Sequence, residues 1–177
     1  SGQKRRGPPS HRAMRKHGNP EKAEILAMAL GESGKTSRAT HGFHTYPAGM
    51  HPICAKRIIE MCPGPVHDPF CGGGTVLVEG RLAGRDVSGS DLSPIAKLIA
   101  SARCSGPEMA TPMRSASRKL AKLAQLRTDV EVPEVCIDWY EPHVAQELGR
   151  LRDGIKDCDE TIQPLLNAVF SSILVKC

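Results

Sequence analysis

The residues best placed to do chemistry are an acid followed by a glycine run, Asp68-Pro69-Phe70-Cys71-Gly72-Gly73-Gly74-Thr75. Glycine has no Cβ, so it admits positive φ and lets the main chain come within contact distance of a ligand. Thr75 can cap a following helix, Val76 to Ala83, which Gly84 would stop. Amides at such a helix start lack internal partners and, with the helix dipole, favour an anionic group. Asp91 stands seventeen residues beyond Gly74, closing the stretch Asp86-Val87-Ser88-Gly89-Ser90. In a strand–loop–helix–strand unit, a carboxylate about 20 residues past the glycines lies at the end of the neighbouring parallel strand, where it can accept both hydroxyls of a ribose.

The elements that must position these groups are short. Pro63 and Pro65 leave only Val66 and His67 to build a strand before Asp68. Ser93 and Pro94 form a capped helix start, with Ile95, Leu98, Ile99 and Ala102 as its apolar face. The unit reads β–loop–α–β–α, with an adenosine-type cofactor across its C-terminal edge. Upstream, Asn19 and Pro20 start a helix with Ala23, Ile25, Leu26 and Leu30 on its apolar side and Gly31 at its end. Downstream, Arg114 to Leu126 is helical, with Leu120, Leu123 and Ala124 inward and Arg118, Lys119 and Lys122 outward. Val130 to Val135 reads as extended, interrupted by Pro133. Two last helices carry Val144, Leu148, Leu151 and Ile155 on one stripe, and Ile162, Leu165, Leu166, Val169, Phe170 and Ile173 on the other.

The wording DPFCGGGTVLVEG followed by GSDLSP resembles the cofactor-binding motifs of class I S-adenosylmethionine-dependent methyltransferases, in the branch that methylates exocyclic amino groups of nucleic-acid bases. A second similarity, Phe43-His44-Thr45-Tyr46-Pro47-Ala48-Gly49-Met50-His51-Pro52 and the helix Ile53 to Met61, matches the segment that in such enzymes precedes the glycine loop and helps hold the methionine end of the cofactor. The resemblance covers roughly Thr40 to Arg103. It implies an α/β, Rossmann-like methyltransferase fold, here helix-rich with an incomplete sheet. It also implies a cofactor site made of Tyr46, His51, Asp68, Phe70, Cys71, Gly72, Gly74, Thr75, Asp91 and Leu92. Asp68 would sit near the amino group of S-adenosyl-L-methionine and Asp91 would take its ribose hydroxyls. DNA is the implied partner, with RNA the alternative; a transfer-RNA guanine methyltransferase or a non-catalytic binding module are the other readings.

The family's Asp/Asn/Ser-Pro-Pro-aromatic catalytic loop is absent from these 177 residues. No catalytic residue is therefore assigned. The expectation is a fragment, with a basic arm and helix at 1–39, a partial cofactor-binding domain at 40–177, and the catalytic loop past the last residue.

Composition narrows the class. Aromatic residues make up 3% of the chain, fewer than a full α/β sheet would be expected to use, and no apolar run reaches the ~20 residues that span a bilayer. The expectation is a cytoplasmic protein with no membrane partner. Seven cysteines, odd in number and without Cys-x-x-Cys spacing, argue against a disulfide framework. Net charge is +5, and Lys4, Arg5, Arg6, Arg12, Arg15 and Lys16 form an arm without acids that is either phosphate-binding or a solvated leader.

Rival motifs are weaker. Gly31-Glu32-Ser33-Gly34-Lys35-Thr36 ends like a phosphate loop but has Ala29 where the first glycine belongs. His41, His44, Cys54 and Cys62 match no standard zinc spacing, so no metal site is expected. Cys71 reads as a small buried residue rather than a nucleophile. Trp139 and Tyr140 read as helix anchors rather than a base-stacking pair.

Overall fold

A computed structural model describes residues 15–34, 38–44, 46–47, 49–126 and 128–174. Among the described residues, two strands, β1 (Val66–Asp68) and β2 (Val87–Gly89), pair in parallel with Val66 opposite Val87 and Asp68 opposite Gly89. A parallel pair needs a crossover, and α3 (Thr75–Leu82) supplies it. Gly80 lets this helix lie directly on the sheet, since a Cβ there would stand 2.6 Å from Val87 Cγ1. The strands stay short because Pro65 precedes β1 and Pro69 follows it. The pairing is extended at its ends by Val66 N donating to Asp86 O at 2.9 Å and Ser90 N to Asp68 O at 3.0 Å.

α3 lies on this pair, and the remaining helices build outward from it. α1 (Pro20–Leu30) is capped by Asn19, whose side chain accepts from Lys22 N, and it packs on α2 (Pro52–Met61), which in turn packs on α3. α4 (Pro94–Arg103) begins at Ser93, whose hydroxyl accepts from Ala96 N. A 3-10 turn at Pro107–Met109 leads into α5 (Ala110–Ala124), then α6 (Glu134–Ile137), α7 (Pro142–Lys156) and α8 (Gln163–Leu174). α5, α7 and α8 enclose a second core of Ala116, Leu120, Ile155, Ile162 and Leu166. Each of its larger aliphatics contributes about 1.5–3 kcal/mol by burial. α8 also packs on α4, joining this core to the sheet side.

Several sequence expectations need correction. Thr75 is the first helical residue, not the cap; Gly74 caps α3 with φ +80°. Val130 to Val135 is not a strand. Gln146 takes both polar groups of Val130, accepting from its N at 2.9 Å and donating to its O at 3.1 Å, and Pro133 starts a short helix instead. Leu26 and Leu30 are exposed and Ala29 is the buried residue of α1; likewise Ile95 is exposed, and Ala96, Ile99 and Ala100 form the inner stripe of α4. Trp139 is 79% exposed and anchors nothing, whereas the Tyr140 hydroxyl donates to Leu174 O at 2.7 Å and ties the α6–α7 turn to α8. α5 starts four residues earlier than its periodicity suggests.

Among the described residues, no helix is long and apolar enough to cross a membrane and six cysteines are free thiols. Most of the basic arm, Lys35 and Thr36 of the phosphate-loop-like motif, and Cys177 lie outside the described residues.

Candidate functional site

The chain leaves β1 at Asp68, whose Oδ1 accepts from Phe70 N at 3.0 Å and bends the backbone into the glycine turn. Asp91, at the end of β2, holds that turn from the other strand. Its Oδ2 accepts from Gly72 N at 2.8 Å and its Oδ1 from Ser93 N at 2.9 Å. The Ser93 and Gly72 amides hold the Asp91 carboxyl below its ordinary pKa. The turn then lies on α4: a Cβ at Gly74 would stand 2.8 Å from Ala100 Cβ, so its glycine is required by both φ and contact. Cys71 N and Gly74 N are bonded within the turn region, to Ser90 O and Cys71 O. The amides of Gly73, Thr75 and Val76 carry no partner among the described residues, and they stand at the positive end of α3.

A second segment, residues 38–44 with 46–47, is strapped over this turn by two buried charges that the sequence reading missed. Arg103, 7% exposed, donates from Nη1 to Gly73 O at 2.7 Å and from Nη2 to His41 O at 3.2 Å and to His44 O. Thr40 Oγ1 returns a bond to Arg103 O at 2.9 Å. Burial pushes the guanidinium pKa down, and the three carbonyls are what make its burial tolerable. Glu79, on the inner face of α3, accepts from Arg38 Nη2 at 2.8 Å and meets His41 Nε2 at 2.8 Å. The strap delivers Tyr46 onto the turn: a Cβ at Gly73 would fall 2.9 Å from Tyr46 Cβ. A signal for both charges existed in the sequence. Arg103 continues the buried Ala96–Ile99–Ala100 stripe by helical spacing, and Glu79 directly follows the apolar run Val76-Leu77-Val78 of α3.

Strap and turn enclose a cleft of about 700 Å³. Of the residues singled out from sequence, Tyr46, His51, Asp68, Phe70, Cys71, Gly72 and Thr75 line it, together with Gly73 and Arg103. Gly74, Asp91 and Leu92 are not among the lining residues. Gly74 is turned onto α4, Asp91 grips the turn through Gly72 N, and Leu92 is 98% exposed. His51 is the cap residue of α2 and its Nδ1 is buried without a partner. Cys71 packs with Leu77 and Ala100. Burial, then the Asp91 and Asp68 charges, raise its thiol pKa, the opposite of what a nucleophile needs. Among the described residues, no group of three His, Cys, Asp or Glu is placed to hold a metal ion.

The chain is 36% identical over 114 residues to the type II methyltransferase M.MvaI of Kocuria varians; the match takes in 60% of this chain and 23% of that protein. The chain thus corresponds to about a quarter of that relative's length. No family model matches the chain, and no solved structure matches it. The similarity supports a methyltransferase, and the helix-rich arrangement with a small parallel sheet is compatible with an α/β fold.

Proposed function

We propose that this chain forms the S-adenosylmethionine-binding portion of a DNA methyltransferase whose target is an exocyclic amino group of a base. The observation that carries this reading is the turn itself. Three partnerless amides at a helix N-terminus face a cleft that also holds an acid and a buried, unpartnered imidazole nitrogen. The similarity to M.MvaI adds the reaction class.

The residues present fit the cofactor. The Gly73, Thr75 and Val76 amides suit a carboxylate, which the α3 dipole favours, and Asp68 suits an ammonium group beside it. Asp91 spends one acceptor site per oxygen on Gly72 N and Ser93 N. An ionised carboxylate has about four such sites, so capacity remains for ribose hydroxyls, although Asp91 itself does not line the cleft. When bound, S-adenosylmethionine supplies an electrophilic methyl group. The residues of this chain contribute orientation: Tyr46 and the Arg103-held strap fix the cleft wall, and positioning is a large share of a displacement's barrier. A base taken from duplex DNA would have to leave its stack. No residue of the chain is assigned to the target amine.

Calorimetric titration of the whole chain with S-adenosylmethionine tests the reading. The wild type should bind, and Asp91→Ala should bind roughly 10–100-fold more weakly, the usual range for losing a charged acceptor. Equal affinity in a folded Asp91→Ala protein would remove Asp91 from the site, and no binding by the wild type would sink the assignment.

A further inference from the structure

The outer face of α5 carries charge that no acid among the described residues answers. Thr111, Arg114, Ser115, Arg118, Lys119 and Lys122 are exposed and recur at three- and four-residue intervals, so they form one stripe along the helix. The opposite stripe, with Ala116 and Leu120, is buried against α7 and α8. Arg114, Arg118 and Lys122 follow one another at about 6 Å of helix rise. The sequence contains no carboxylate from Met109 to Thr128, and none of these four cations has an ion-pair partner among the described residues. α7 shows the ordinary arrangement for comparison: its Arg152 and Lys156 both pair with Asp153.

Like charges four apart disfavour a helix, and α5 has no acid in its first turn to satisfy the dipole. A polyanion laid along the stripe would remove both penalties. Thr111, Arg114, Ser115, Arg118 and Lys119 also line a shallow groove of about 420 Å³. Every one of them can donate a hydrogen bond, which suits phosphate oxygens and suits an apolar or cationic partner poorly.

We infer that the exposed face of α5 is a docking surface for the phosphate backbone of duplex DNA, separate from the cofactor cleft. The inference takes its partner from the DNA reading above. It places on this helix the sequence-independent, salt-sensitive part of the affinity, which positions the protein without reading bases.

The test is fluorescence anisotropy of a labelled duplex with the whole chain across a salt series, comparing R118Q/K119Q with K56Q/K156Q. Both double variants remove two positive charges, but Lys56 and Lys156 have acidic partners, Glu60 and Asp153. R118Q/K119Q should flatten the slope of log affinity against log salt by about 1.8, twice the ~0.9 expected per phosphate on duplex DNA. K56Q/K156Q should leave the slope unchanged. An unchanged slope in R118Q/K119Q, equal losses in both pairs, or tighter binding of single-stranded RNA or of an acidic protein by the same face would each overturn the proposal. Calorimetry with S-adenosylmethionine on the same proteins separates the two ideas. R118Q/K119Q should bind it as the wild type does, and a wild type that binds DNA through α5 but not the cofactor would break only the cleft assignment.

Discussion

Two buried arginines show how differently the two parts of the molecule are built. Arg150, in the α5–α7–α8 part, donates from Nε to Ala124 O at 2.9 Å and from Nη1 to Thr128 O at 3.0 Å, both on the chain leaving α5. It closes a helix end beside a core that is otherwise apolar. Arg103, in the glycine-turn part, gathers carbonyls from the turn and from the strap, 30 to 62 residues away in sequence. Beside it Glu79, 2% exposed, gathers Arg38 and His41. A buried charge costs several kcal/mol to desolvate, and apolar residues of similar size often serve stability as well or better. The helical part follows that economy with one exception. The glycine-turn part does not, and what it gains is a fixed distance between two segments that face each other across a cleft.

The largest effects should come from removing each arginine. Arg103→Ala leaves three carbonyls to find new partners, and at about 1–3 kcal/mol per unsatisfied buried group the loss should reach about 3–5 kcal/mol in urea unfolding. Arg150→Ala strands two and should cost about 2–3 kcal/mol. The sharper readout is cofactor binding by the fraction that remains folded. Arg103→Ala should lose it while Arg150→Ala retains it, and equal retention in both would show that Arg103 is only another structural clamp.

A glycine pair probes the same contrast with smaller perturbations. Gly73→Ala drives a Cβ to 2.9 Å from Tyr46 Cβ and from Arg103 Nη1, an overpacking expected to cost about 1–3 kcal/mol. Gly84→Ala meets nothing within 4 Å and is strained only by its φ of +69°, at roughly 1–2 kcal/mol. Similar stability losses in thermal melts should therefore accompany different binding isotherms, with affinity for S-adenosylmethionine reduced at Gly73 and intact at Gly84. Reduced affinity in both would mean that stability, not the strap's seat on the turn, sets the cleft.

Local signals account for what the sequence disclosed. The acid–glycine run, Asp91 and the Ser93-Pro94 start are read within a few residues, and the structure brings strand, turn and both helix starts together as that spacing requires. The strap was legible only as a resemblance, because its bonds to Arg103 and Glu79 span 38 to 63 residues and leave no periodic trace. Val130 misled for the opposite reason: β-branched residues around Pro133 suggest an extended segment, but one glutamine side chain satisfies the backbone that a neighbouring strand would have taken. Trp139 reads as a helix anchor from its place beside Glu141 and Pro142, yet the fold leaves it exposed, and Tyr140 makes the tie to α8.

The smallest effect separates two depressed carboxylates, one from each part. Asp153, on α7, accepts from Arg152 Nε at 2.9 Å and Nη2 at 3.1 Å and from Lys156 Nζ at 2.9 Å, and these side-chain donors, Arg152 first, lower its pKa to about 2. Asp91 is lowered by backbone amides instead. For a carboxylate depressed in the folded state, the stabilisation is complete above its unfolded value near 3.9 and is lost as pH falls through the folded value. The melting difference between wild type and Asp153→Asn should accordingly be present above about pH 4 and vanish near pH 2. It should also be small, because Asp153 and both its partners, Arg152 and Lys156, are solvent-accessible. Salt distinguishes the causes. At about 1 M, where screening reaches within ~3 Å, carboxyl NMR titration should move Asp153 back toward its ordinary value. Asp91, held by amides whose positions the fold sets, should stay depressed; if it rises in parallel, the turn is held by surface charge and not by the Gly72 and Ser93 amides.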